Sequence, residues 1–185
     1  MLRKKMKHAL IIVDIQNDYF DGGKYPLHKA EEAAQKAKFV LEKCRQDKIP
    51  VIHIQHINPA GAPFFEPNSV GVEIHQLVKP EAGEMVVTKH FPNSFLQTNL
   101  KAELDKLGVE GLFIVGMMTH MCIDTTTRAA KDLGYKCTLI GDCCATRNLE
   151  YNNREVDAES VQTAYLAGLN GIFAEVTNYS DFKTN

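Results

Sequence analysis

Three residues of this chain could do covalent chemistry together, and each stands just past an apolar run. Cys122 lies in Gly116-Met117-Met118-Thr119-His120-Met121-Cys122-Ile123-Asp124, directly behind Leu112-Phe113-Ile114-Val115. Asp14 closes Ala9-Leu10-Ile11-Ile12-Val13, and Lys89 follows Met85-Val86-Val87-Thr88. A thiol in the first turn of a helix meets unpaired backbone N–H groups and a partial positive charge, which favours the thiolate. The same amides could receive the oxyanion of an attacked carbonyl. A carboxylate at the end of a buried strand is suited to proton transfer, and a lysine facing it could pair with it and hold the thiolate by charge. The chemistry these types suggest is hydrolysis through a cysteine nucleophile. Each residue also has a plainer reading: cysteine is a common core residue, Asp often caps turns, and most lysines are solvated. Their shared location at strand ends is what sets them apart.

The elements that must position them alternate. Apolar residues at Ala30, Ala33, Ala34, Ala37, Val40, Leu41 and Cys44 recur at helical spacing, and Pro50 precedes a second strand, Val51-Ile52-His53-Ile54. Asn93 or Ser94 could cap a helix through Phe95, Leu96, Leu100, Leu104 and Leu107, stopped at Gly108. A helix from Cys122 to Leu133 stops at Gly134, and Cys137-Thr138-Leu139-Ile140 reads as a fifth strand. A last helix covers roughly residues 155–169, before the strand Ile172-Phe173-Ala174-Glu175-Val176. Uniformly apolar strands between helices imply a mainly parallel six-stranded sheet covered on both faces, a three-layer α/β/α, doubly wound, Rossmann-like fold. The stretch of about 58–84 is long, polar and Pro-containing, a pattern expected of a lid or a subunit contact.

With 185 residues, 44% hydrophobic and 24% charged, the expectation is one domain over 1–185. A net charge of −2 gives no reason to expect nucleic acid or an anionic membrane as partner. The basic opening Met1–Lys7 precedes too few apolar residues for a signal-peptide core, and no segment approaches a membrane span. Five cysteines without regular spacing argue against a disulfide framework and for a reducing, cytoplasmic setting. Cys44 and Cys137 look inert, and the pair Cys143-Cys144 looks structural or incidental. Neither G-x-G-x-x-G after the first strand nor a Walker sequence occurs, so a nucleotide site has no support.

Three segments, Leu10-Ile11-Ile12-Val13-Asp14-Ile15-Gln16-Asn17-Asp18, Lys89 with Asn93-Ser94-Phe95, and Gly116 to Cys122, resemble the isochorismatase-like cysteine hydrolase superfamily, which includes nicotinamidases and carbamoylsarcosine amidases. The resemblance spans nearly the whole chain in the right order. It implies a triad of Asp14 as general base, Lys89 as its charged partner and Cys122 as nucleophile. It further implies a cis peptide at Met117–Met118 and an oxyanion hole made by the Met118 and Cys122 N–H groups. Nicotinamidases carry an Asp-x-His metal motif after the second strand. This chain has His53-Ile54-Gln55-His56 there, and a strand would turn those histidines to opposite faces. No metal and no cofactor are therefore expected. True isochorismatases cleave a vinyl ether without needing a thiol, and Cys122 argues against that chemistry.

The function expected is a metal-independent hydrolase that cleaves an amide-type C–N bond of a small molecule through a thioester. A nicotinamidase and a non-catalytic small-molecule-binding scaffold are the alternatives. Phe20, Phe91 and Phe95 could wall the substrate pocket or pack the core. His120 could approach the pocket mouth, with the surface as its default place. Loop length and resemblance both suggest a homo-oligomer whose subunits complete each other's pockets.

Overall fold

A computed structural model describes residues 6–184. Most of the basic opening, residues 1–5, lies outside them. In chain order the elements are β1 (His8–Val13), α1 (Ala30–Gln46), β2 (Val51–His56), β3 (Met85–Lys89), α2 (Leu100–Leu107), β4 (Gly111–Met117), α3 (Asp124–Asp132), β5 (Lys136–Ala145), β6 (Leu149–Tyr151), β7 (Arg154–Val156), α4 (Ala158–Leu169) and β8 (Glu175–Thr177). Six strands form one sheet in the order β3-β2-β1-β4-β5-β8, and every neighbouring pair is parallel. This is the doubly wound three-layer fold that the apolar runs imply.

The pleat divides the core in two. Leu10 and Ile12 of β1, with Phe113, Val115 and Met117 of β4, face Ala30, Ala34, Ala37, Val40 and Leu41 of α1. Ala9, Ile11 and Val13, with Leu112 and Ile114, face Leu100 and Leu104 of α2, Ala130 of α3 and Leu169 of α4. Alternation of period two thus lets strands that read as unbroken apolar runs serve both layers. Cys143 and Cys144 follow the same rule and enter opposite layers.

Several boundaries differ from the sequence expectation. α2 begins at Leu100 rather than near Ser94, because Gln97 takes a left-handed φ of 56° and Ser94 is buried against the Thr126 hydroxyl, 2.9 Å away. α3 begins at Asp124, and Cys122 instead lies in a single π-helical turn, Thr119–Ile123. The last sheet strand starts at Glu175, since Gly171 turns the chain at φ 84° and leaves Ile172 exposed. The β6–β7 hairpin has no apolar run to announce it. The 58–84 stretch is ordered by the buried side chains of Phe65, Val72 and Val78 and by 3₁₀ turns at Val70–Val72 and Gln76–Val78. No helix among the described residues is long and apolar enough to cross a membrane.

Candidate active site

The strand order reverses between β1 and β4, and the crevice beyond their C-terminal ends is where open α/β sheets place ligands. Val13 there pairs with Gly116, whose φ of 134° and position 2.0 Å from the Val13 carbonyl oxygen, measured from an added Cβ, admit only glycine. Asp14 leaves β1 with a left-handed φ of 51°, which Asp tolerates better than most residues. Its N–H is held by the Ile54 carbonyl at 3.1 Å. Lys89 is the last residue of β3 and the register partner of His56, the last of β2. Beyond β4 the Met117–Met118 peptide is cis, and the Met118 carbonyl accepts from both Met121 and Ile123 N–H, at 3.0 and 3.2 Å. That turn swings Cys122 back over the sheet end.

The three side chains converge and are buried. Lys89 Nζ lies 2.7 Å from Asp14 Oδ2 and 3.2 Å from Cys122 Sγ, and it also donates to the Phe91 carbonyl at 3.1 Å and to His56 Nδ1 at 2.9 Å. Burial by itself would depress the ammonium, but the negative character of Asp14 and Cys122 outweighs it and raises the Lys89 pKa. The Cys122 thiol is pushed well up, first by burial and then by the Asp14 carboxylate, against the opposing pull of Lys89. Removal of water and the neighbouring Asp14 carboxyl thus oppose the thiolate that the turn's free amides favour.

The other expected residues have these surroundings. Phe91 contributes its carbonyl to Lys89, while its ring is exposed. Phe20 stacks on His75 at 3.7 Å, and Phe95 stacks on Tyr135 at 6.1 Å in the layer under α2 and α3. Tyr19 is buried, with its hydroxyl pKa raised by burial and then by the charges of Asp14 and Cys122. Tyr19 packs with Tyr25, Phe64 and Phe65. No local signal marks it, because two of its ring partners come from the long loop. His120 is half-buried rather than on the surface; Nδ1 lies 2.6 Å from the Thr146 hydroxyl, and burial, reinforced by Arg147, holds its pKa down at about 4. His53 and His56 do part to different surroundings: His53 Nε2 meets Glu84 at 2.8 Å, whereas His56 joins Lys89.

Asp14, His56 and Cys122 each offer a ligand atom, all within 4.8 Å of one another. A metal does not fit between them, because the Lys89 ammonium is in contact with all three and fills that position with a cation.

Comparison with known proteins agrees with this fold. The isochorismatase domain model matches residues 8–178. The chain belongs to the isochorismatase family. This hydrolase is 47% identical to the isochorismatase family protein YddQ of Bacillus subtilis, over 96% of this chain and 99% of that one. It is 32% identical to a streptothricin hydrolase of Streptomyces noursei, over 76% of this chain and 50% of the relative. A nicotinamidase of Escherichia coli is 26% identical over 77% of this chain and 84% of its own. Among solved structures, an isochorismatase-type hydrolase from Oleispira antarctica superposes with a TM-score of 0.94, at 44% identity and 98% coverage of both chains.

Proposed function

We propose that this hydrolase cleaves an amide-type C–N bond of a small molecule through a Cys122 thioester, without a metal. The observation that carries the reading is the buried contact set in which one ammonium, Lys89, touches both the Asp14 carboxylate and the Cys122 sulfur. As Cys122 Sγ attacks the carbonyl carbon, Asp14 takes the thiol proton, and the negative charge collects on the carbonyl oxygen. The backbone amides of Met118 and Cys122 flank the turn and are assigned to that oxygen. The C–N bond then breaks, with the proton passing from Asp14 to the leaving nitrogen. Water attacks the thioester as Asp14 accepts its proton, which returns to sulfur as the acid is released. Lys89 pairs with the Asp14 carboxyl and lowers the cost of charge on sulfur.

Relatives named streptothricin hydrolase and nicotinamidase support a small-molecule substrate. The free, buried cysteines fit a reducing, cytoplasmic setting. Exposed Tyr151 and Val156 on the β6–β7 hairpin fit self-association, which light scattering would read against the 20.7 kDa chain mass.

The test is a screen of small primary and secondary amides, nicotinamide with and without chelator among them, for amine or ammonia release. Intact-mass detection of an acyl adduct on Cys122 accompanies it. Cys122→Ala should be folded and inactive. Measurable turnover by Cys122→Ala, or product release with no Cys122 adduct under rapid quench, would remove the thioester mechanism.

A further inference from the structure

The triad has a fourth contact. His56 Nδ1 lies 2.9 Å from Lys89 Nζ, as close as the members of the triad lie to one another. We propose that His56 is a positioning residue: a neutral imidazole, held in one tautomer, that aims the Lys89 ammonium at Asp14 and Cys122. This rests on the thioester reading above.

The tautomer follows from a chain of hydrogen bonds. Asn58 Nδ2 donates to the Phe64 carbonyl at 3.0 Å, which turns Asn58 Oδ1 toward His56. That oxygen lies 2.9 Å from His56 Nε2 and only accepts, so Nε2 carries the hydrogen. Nδ1 is then a bare acceptor, and it faces an ammonium, which only donates. A hydrogen on Nδ1 would set two donors against each other at 2.9 Å. Both ends of the ring therefore require the same form.

The ring is also carried on a clamped backbone. Buried Gln16 accepts from His56 N–H at 2.8 Å and donates to the His56 carbonyl at 2.8 Å, and its amide reaches the Val72 carbonyl at 2.7 Å. The next residue, Ile57, donates to the Lys89 carbonyl at 3.0 Å. With backbone and both ring nitrogens fixed, His56 gives the flexible lysine stem a single direction. The ammonium has three hydrogens and four acceptors around it, so fixing one of them decides how the others are shared.

The groups facing the ring are Lys89 of β3, Asp14 at 4.0 Å beyond β1, Cys122 within 4.8 Å, Asn58 at Nε2, His90, and the Phe65 ring at 6.1 Å. Burial, and then the Lys89 charge, hold the His56 pKa below the usual 6.5, with Asp14 opposing. Protonating His56 would place a second cation against Lys89 and take away its acceptor.

The experiment measures the rate of Cys122 alkylation by iodoacetamide from pH 5 to 9, read by mass spectrometry, and so needs no substrate. Wild type, Lys89→Ala, His56→Leu and His56→Asn are compared; the Asn side chain offers an acceptor oxygen near the place of Nδ1. His56→Leu should slow alkylation about tenfold at neutral pH, the scale of one lost charge-assisted hydrogen bond. His56→Asn should return to within about threefold of wild type and shift the acid limb of the profile to lower pH. A merely structural role would not move that limb. The proposal is overturned if His56→Asn is as slow as His56→Leu, or if its acid limb stays where the wild type's is. The second criterion holds even when His56→Leu fails to fold. If Lys89→Ala slows alkylation while the His56 variants do not, only this inference falls; if Lys89→Ala also leaves the rate unchanged, the triad reading falls with it.

Discussion

At the scale of single residues, what matters is where protons and charges rest. Asp14, Lys89 and Cys122 sit almost wholly out of water. In such surroundings an ion is tolerated only when paired, and each charge strongly moves its neighbours. The pairing of Asp14 with Lys89 at 2.7 Å therefore stands next to a thiol whose pKa burial pushes up, the pair to which the proposal assigns base and nucleophile. Asp14→Asn keeps the shape and loses the base. We expect kcat to fall by about 10²–10⁴-fold, the range that general-base catalysis supplies. Steady-state kinetics checks this, and a variant within tenfold of wild type would exclude Asp14 as the base. All three types were legible in the sequence because each ended an apolar run. Their protonation was not, since it depends on burial and on partners far along the chain. His56 was legible only as half of a metal pair with His53, because its true partner, Lys89, is 33 residues away.

At the scale of elements, two joints hold the site in place. The first is the close passage of β1 against β4 at Val13 and Gly116. Gly116→Ala would force a Cβ onto the Val13 carbonyl oxygen at 2.0 Å and strain a backbone at φ 134°. We expect a loss of about 3 kcal/mol or more, seen as a large drop in the urea midpoint; a midpoint within experimental error of wild type would contradict the account. The second joint ties α1 to the β2–β3 edge. Arg45 donates to Glu84 at 2.7 and 2.8 Å, and Glu84 also meets buried His53. Burial of Glu84 works against its charge, but Arg45, the Glu81 N–H and His53 together bring its pKa from 4.5 to about 2. A depressed carboxylate stabilises the fold above its unfolded value and ceases to as pH falls through the folded one. The contribution, about 3 kcal/mol, should be present above pH 4.5 and disappear towards pH 2. Glu84→Gln should therefore lose stability at pH 7 and show less further loss on acidification. Equal acid sensitivity in both proteins would reject this joint. The helix and strand periods announced these elements well. The hairpin and the start of α2 escaped because they depend on left-handed turns and on side chains such as Ser94 meeting Thr126 from another element.

At the scale of the molecule, five free cysteines all lie buried, and Cys143 and Cys144 point into opposite layers. Five thiols should react with Ellman's reagent in denaturant, far fewer and more slowly in the native state, and added reductant should leave Tm unchanged. A reductant-dependent Tm would show a disulfide that this account lacks. The sequence by itself determined the layered parallel architecture, because uniformly apolar runs separated by helical periods bury both faces of a sheet. It also determined the placement of Asp14, Lys89 and Cys122 beyond strand ends, since the fold brings the C-terminal ends of parallel strands to one edge. Only the tertiary structure decided that burial pushes the Cys122 thiol up, that Tyr19 packs against Phe64 and Phe65 of the long loop, and that His56 reaches Lys89. Those facts depend on distances between residues far apart in the chain, on loops whose path is set by packing, and on the exclusion of water, none of which is a property of local sequence.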